Sequence, residues 1–184
     1  MYDRDALLAL IREHGLERGE FTLASGKKSS YYLDCRKVTL DSAGAKQIAE
    51  GILEMWGDNL PDAVGGMAIG ADPISAAVIT TAAHRGQALK GFIVRKETKS
   101  HGKGNDVEGP ITPGLTAVIV EDVVTTGGSS LKAIERVEAF GLKVVGVVAV
   151  VDRLEGAAQI FADRGYSLQT LLTIRDFGIQ PNPS

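Results

Sequence analysis

From Pro61 onward the chain repeats one unit, in which a short and nearly unbroken apolar run is followed by a turn and then by a segment with helical spacing. The runs are Val64 to Ile69, Leu89 to Val94, Leu115 to Val120 and Val144 to Val151, and a last one covers Leu168 to Ile174. A strand with one wet face alternates apolar and polar residues. A run that is apolar at nearly every position needs cover on both faces, and helices placed between successive strands supply it. The pattern therefore predicts an α/β fold with a doubly wound, mostly parallel sheet flanked by helices. Helix starts fall where that fold needs them. Asp72-Pro73 has the pairing of an N-cap with a first-turn proline, Gly127 opens a second helix, and Glu155 to Arg164 reads as a third.

Upstream, Asp3 is placed to cap a helix whose Ala6, Leu7, Leu10 and Ile11 share one face and which ends near Gly15. From Gly19 to Cys35 the texture changes to short runs of Thr, Tyr and Leu around Ser25-Gly26, which predicts two short strands joined by a turn, an appendage or hood. Asp41 then opens a helix with Ala45, Ile48, Ala49, Ile52, Leu53 and Trp56 on its apolar face, stopping at Gly57. Trp56 reads as core. The chain has 184 residues and 44% apolar content, enough for one core and short for two, so a single domain is expected. Helix and hood would take about 1–40, and the core sheet about 60–175 with a polar lid loop over 95–113. The recurring pattern is not an internal repeat of the amino-acid sequence itself, and only Gln180 to Ser184 has the texture of a loose tail.

Charge and composition exclude several classes. A net charge of −3 and a pI near 5.6 argue against a general nucleic-acid binder, which needs a basic face. One cysteine, Cys35, makes no intrachain disulfide, and the three histidines His14, His84 and His101 have no metal-ligand spacing, so a thiolate or zinc enzyme is not indicated. The opening MYDRDALLAL lacks a basic segment followed by a sustained apolar one, and nothing reaches the ~18 apolar residues of a membrane span. The expectation is a cytoplasmic protein that partners neither membrane nor nucleic acid.

The strongest chemical signal is Ala117 to Ser129, where a buried run ends in Glu121-Asp122-Val123-Val124 and passes into Thr125-Thr126-Gly127-Gly128-Ser129. Open α/β sheets bind ligands at the carboxyl ends of their strands, and the first N–H groups of the following helix have no intrahelical partners. A phosphate suits such a site, since glycines let the backbone approach, the hydroxyls of Thr125, Thr126 and Ser129 add donors, and the helix dipole favours negative charge. No lysine follows the glycines, which separates the loop from a nucleotide P-loop, and no Gly-x-Gly-x-x-Gly is present. The carboxylates of Glu121 and Asp122 can accept hydrogen bonds from a ribose diol. Together the halves fit a ribose 5-phosphate. The plainer alternative is a solvated strand end followed by an ordinary glycine turn. This segment resembles the motif with which type I phosphoribosyltransferases bind 5-phosphoribosyl-1-pyrophosphate (PRPP): an apolar run, two acids, two apolar residues, then Thr-x-Gly-x-Ser/Thr.

The stretch from Arg95 to Pro113 is long, polar and rich in glycine, a length that in compact domains belongs to functional or disordered loops. Its Arg95, Lys96, Lys99, His101 and Lys103 are cations suited to clamping a pyrophosphate, and a solvated surface loop is the alternative. The order Arg-Lys-x-x-Lys-x-His-Gly resembles the catalytic loop of the orotate phosphoribosyltransferases. So does the hood segment Phe21 to Asp34 resemble that family's amino-terminal signature, with Tyr31 and Tyr32 near the base, or as aromatic packing in a half-buried strand. Val151-Asp-Arg-Leu-Glu-Gly156 offers Arg153, which matches the family arginine that pairs with the orotate carboxylate, a task suited to a planar fork of N–H donors.

The resemblance runs from Phe21 to Arg153 in the family's order, and it implies an Mg2+-dependent transfer of the phosphoribosyl group from PRPP to orotate. It implies that Lys99, His101 and Asp122 are catalytic, that PRPP is held from Arg95 and Lys96 through Ser129, and that Thr125, Tyr31, Tyr32 and Arg153 face orotate. It also implies a homodimer in which Lys96 and Arg95 serve the partner's site while Lys99 and His101 act on the leaving pyrophosphate. The chain departs from the pattern twice. Ala24 stands where many members carry a lysine, with Lys27 and Lys28 just beyond the turn, and Ile69-Gly-Ala-Asp-Pro-Ile-Ser75 lacks the lysine common in the pyrophosphate loop. Two rivals keep the PRPP loop: a purine transferase, which should lack the hood signature and Arg153, and a PRPP-sensing regulator, which would need a DNA-binding segment for which there is no spare length.

Overall fold

The computed structural model describes residues 1–22, 28–97 and 106–181. Helix α1 (Arg4–Leu10) is capped by Asp3, whose side chain accepts from the Ala6 N–H, and it runs on as a wider turn through Gly15. Strands β1 (Leu16–Thr22) and β2 (Lys28–Leu33) pair antiparallel with a bulge between Arg18 and Phe21, which is the expected hood. A short helix α2 (Arg36–Thr39) follows, then α3 (Ser42–Trp56), capped by Asp41 through the N–H groups of Ala43 and Gly44. Trp56 is buried and α3 stops at Gly57, in line with the sequence reading.

The main sheet has six strands: β3 (Ala63–Met67), β4 (Lys90–Val94), β5 (Val107–Glu108), β6 (Thr116–Val124), β7 (Lys143–Asp152) and β8 (Leu168–Thr173). They lie in the order β5-β4-β3-β6-β7-β8, all parallel except the two-residue edge strand β5. Helices α4 (Ala71–His84), α5 (Gly128–Phe140) and α6 (Ala157–Ala162) make the crossovers. The continuous apolar runs arise because each strand serves two cores. Val118, Val120, Val148 and Val150 pack with α3 and α4, while Ala117, Ile119, Val147 and Ala149 pack with α5 and α6.

Two local expectations shift. Helix α4 begins at Ala71 with Gly70 in the cap position, so Asp72 and Pro73 sit inside its first turn rather than at its cap and first residue. Proline is accepted there because the first-turn N–H groups have no intrahelical acceptor in any case. The polar stretch 95–113 is not loop throughout, since β5 pairs Val107 with Val94 and Glu108 with Ile93. Among the described residues, no helix is long and apolar enough to cross a membrane.

Candidate active site

Strand order reverses between β3 and β6: the chain moves from β3 outward to β4 and then returns to the other side of β3. Such a switch point leaves a crevice beyond the strand ends. Here it is a cleft of about 540 Å3, walled by Met67 to Gly70 after β3, by Glu121 to Val123 on β6, by Asp34 and Arg36 from the hood side, and by Lys96. A second hollow of about 370 Å3 adjoins it, formed by Thr125 to Ser129 with Lys132, and the two share Glu121, Val123 and Ser129. A further cleft of about 520 Å3 opens at the opposite end of the strands, near Trp56, Leu60, Thr116 and Val145. None of the described residues that line it is charged, so they offer a phosphorylated ligand no neutralising partner.

The smaller hollow is a helix N-terminus without its own cap. Gly127 takes the left-handed conformation at φ 81° and caps nothing with a side chain, so the first N–H groups of α5 face open space beside Thr125, Thr126 and Ser129. A Cβ on Gly127 would stand 2.7 Å from Cζ of Phe161, which is fully buried. Only glycine satisfies both conditions.

In the larger cleft Glu121 is buried, and its Oε2 accepts from Ser130 Oγ at 3.0 Å. Asp122 Oδ1 accepts from the Val123 N–H at 2.9 Å. Burial, and then the adjacent Asp122 charge, push the Glu121 carboxyl up to about 7 from 4.5. Asp122 is raised as well, by burial, with the Val123 N–H bond and then the Arg36 charge pulling it back. Gly70 completes the wall, and a Cβ there would lie 2.9 Å from Asp122 Oδ1. Because the folded protein holds the Glu121 proton more tightly than the unfolded chain, the associated stability is full below 4.5 and lost as pH rises through about 7. Glu121→Gln keeps the size and an acceptor for Ser130. It is expected to stabilise the ligand-free protein at pH 8 by on the order of 2 kcal/mol, or about 4–8 °C in Tm, and by much less below pH 5, as thermal melts at the two pH values would show.

Arg153 stands one strand over, outside the walls of both clefts, with its backbone N–H on the Val124 carbonyl at 3.0 Å. Its Nε donates to the Tyr31 hydroxyl at 2.8 Å, and its guanidinium lies 4.9 Å from the Tyr31 ring centroid. Nη2 is 3.0 Å from Glu155 Oε1 but is buried without a hydrogen-bond partner. The side chains of Tyr31 and Tyr32 do not lie together. They project to opposite faces of β2, Tyr31 buried against Arg153 and Tyr32 exposed and packed on Phe21 at 5.8 Å between centroids. Alternation along a strand already carried that signal. Val124 is buried, and Arg95 is tied to Glu108 on the edge strand while its backbone N–H bonds the Asp106 carbonyl. Lys96 borders the larger cleft. Lys99, His101 and Lys103, like Ala24 and Lys27, lie outside the described residues. The sequence reading missed Asp34 and Arg36, whose place beside Asp122 depends on how the hood folds back onto the sheet.

The phosphoribosyl transferase domain family matches residues 40–180. An orotate phosphoribosyltransferase of Rhodopirellula baltica is 57% identical over 97% of this chain and 96% of its own length. The crystal structure of Mycobacterium tuberculosis orotate phosphoribosyltransferase with Fe(III) dicitrate superposes with a TM-score of 0.85 at 36% identity, covering 96% of this chain and 99% of that one. A structure of the same Mycobacterium tuberculosis protein in complex with PRPP gives a TM-score of 0.81 at 34% identity, with the same coverage.

Proposed function

The chain belongs to the orotate phosphoribosyltransferase family, and from that premise we propose how its own residues carry the transfer of a 5-phosphoribosyl group from PRPP to orotate. The products are orotidine 5'-monophosphate (OMP) and pyrophosphate, in de novo synthesis of UMP. One observation carries the reading: an uncapped helix N-terminus, the buried Glu121 and the half-buried Asp122 share a wall at the sheet's switch point, next to a strand end that bears a half-satisfied arginine.

In this reading the 5-phosphate occupies the hollow of Thr125 to Ser129, and Glu121 and Asp122 accept from the ribose hydroxyls. The pyrophosphate extends toward Gly70 and Lys96, and orotate lies between Thr125 and Arg153. Orotate attacks C1 as pyrophosphate leaves, with inversion and an oxocarbenium-like transition state. The protein then accelerates the step mainly by alignment and by stabilising charge on the leaving group. Among the described residues no cluster of three metal-binding side chains exists. Two adjacent carboxyls without a cage suit Mg2+, which keeps substrate oxygens and waters as ligands. When bound, Mg2+ would neutralise pyrophosphate charge, and Asp122 is the side chain nearest to such a role.

The lid cations complete the proposal. Lys99 and His101 act on the leaving pyrophosphate, in a homodimer whose lids serve neighbouring sites, with Arg95 and Lys96 at the lid's root. Lys99→Ala is expected to lower turnover by on the order of 10²-fold, roughly 3 kcal/mol, and turnover within threefold of wild type would remove that role. The assignment itself is tested by the loss of orotate ultraviolet absorbance on mixing protein, orotate, PRPP and magnesium, with adenine, hypoxanthine and uracil followed in parallel by pyrophosphate release. Consumption of orotate alone is expected. Turnover of another base instead would keep the PRPP site and overturn the base.

A further inference from the structure

The larger cleft has a charge problem. Among the described residues its walls carry three carboxyls, Asp34, Glu121 and Asp122, against two cations, Arg36 and Lys96. The segment that follows β3, Ile69 to Ser75, which covers the turn and the start of α4, contributes no cation and an aspartate, Asp72. A pyrophosphate entering here brings several negative charges into a space where burial already raises both Glu121 and Asp122, and the Asp122 charge raises Glu121 further. Lys96 is one compact charge at the root of the lid. The remaining cation, fixed by the fold rather than by the lid, is Arg36.

Its setting is that of a prepared ligand. The Asp34 N–H bonds the Gly15 carbonyl at 2.8 Å, anchoring the end of β2, and buried Cys35 holds the start of α2. Asp34 then grips Arg36 three times, accepting from its backbone N–H at 3.1 Å, from Nε at 2.8 Å and from Nη2 at 3.1 Å. Those bonds hold the Asp34 carboxyl below its ordinary range, so it stays ionised and keeps the guanidinium oriented. They occupy one edge of the fork. An arginine has five N–H donors, and Nη1 has no partner among the described residues. The side chain is 45% exposed, and its charge reaches Asp122 across the cleft.

Resting on the reading that PRPP occupies this cleft, we infer that Arg36 is a pyrophosphate-binding residue, oriented by Asp34 and donating from its outer edge to the diphosphate between Gly70 and Lys96. A guanidinium suits this better than an ammonium, because its planar edge matches two phosphate oxygens while the opposite edge stays on Asp34. Arg36 is thereby separated from the helix N-terminus of Thr125 to Ser129, which takes the 5-phosphate. Ligands with and without pyrophosphate should therefore respond differently to its loss.

The test compares Arg36→Gln with wild type in three measurements: KM for PRPP, KM for magnesium pyrophosphate in the reverse direction, and Kd for OMP alone, which lacks pyrophosphate. Both KM values are expected to rise at least tenfold while OMP binding stays within twofold. Arg36→Lys should recover only part of the loss, since it restores charge without the fork. KM values within threefold of wild type overturn the inference and leave the PRPP reading standing, and so does an equal weakening of OMP, which would mark a structural role in the hood. Should Arg36→Gln fail to fold, Arg36→Lys decides alone: at least a threefold rise in both KM values with OMP binding intact supports the inference, and anything less overturns it. A wild-type protein that binds neither PRPP nor magnesium pyrophosphate overturns both readings together.

Discussion

Arg153→Ala is expected to lower kcat/KM for orotate by about 10³-fold, roughly 4 kcal/mol, while leaving the Kd for PRPP within about twofold. The size follows from burial. The Arg153 side chain is 11% exposed and Glu155 beside it 13%, so truncation does more than remove the donor proposed for the orotate carboxylate. It removes the cation beside Glu155, so that this carboxylate meets an incoming anion without the Arg153 ion pair, and it strips the Tyr31 hydroxyl of its donor. Tyr31→Phe isolates the smaller part. It removes the hydroxyl that accepts from Nε and keeps the ring under the guanidinium, so a loss of about 1 kcal/mol, or five- to tenfold in kcat/KM, is expected. Steady-state kinetics with orotate varied, and isothermal titration with PRPP, check both. An Arg153→Ala enzyme within tenfold of wild type for orotate would show that the carboxylate is held elsewhere.

Gly127→Ala should cost nearly as much through the other substrate. An alanine at φ 81° costs about 1–2 kcal/mol, and its Cβ meets the Phe161 ring at 2.7 to 3.2 Å. Phe161 is buried in the core with α5 and has no room to retreat, so overpacking adds about 1–3 kcal/mol. The turn has two ways to absorb that energy. If it stays in place, Tm falls by about 4–20 °C. If it relaxes, the N–H groups of α5 lose their aim and kcat/KM for PRPP falls by roughly 10²–10³-fold. Melting curves and PRPP kinetics on one sample would show which. Gly128→Ala is the control, since a Cβ there meets nothing within 4 Å.

Much of the fold is legible in one dimension because it follows from local chemistry. Asp3 and Asp41 cap helices because a short carboxylate reaches N–H groups two or three residues ahead, whatever the rest of the chain does. Gly127 reads as a helix opening because the turn requires its left-handed conformation. Asp72-Pro73 misled by two residues, since a first turn tolerates both residues as readily as a cap does. The edge strand Val107–Glu108 gave no periodic signal, being two residues long and defined only by its partner β4.

The candidate site divides the same way. Glu121, Asp122 and the Thr125 to Ser129 turn are contiguous, so their joint purpose is visible in the sequence as a motif. Arg153 and Tyr31 are 122 positions apart and meet only because the hood folds over the end of β7. Likewise, Arg36 reaches Asp122 only once β2, α2 and β6 converge on one cleft. The amino-acid sequence by itself determined the doubly covered sheet, the phosphate-ready turn and the acid pair, because burial patterns, capping and backbone conformation act over a few residues. Only the tertiary structure decided which cations face those acids, how far burial raises Glu121, and which tyrosine meets Arg153. Electrostatics and desolvation depend on distance through space, and the order of residues along the chain does not encode it directly.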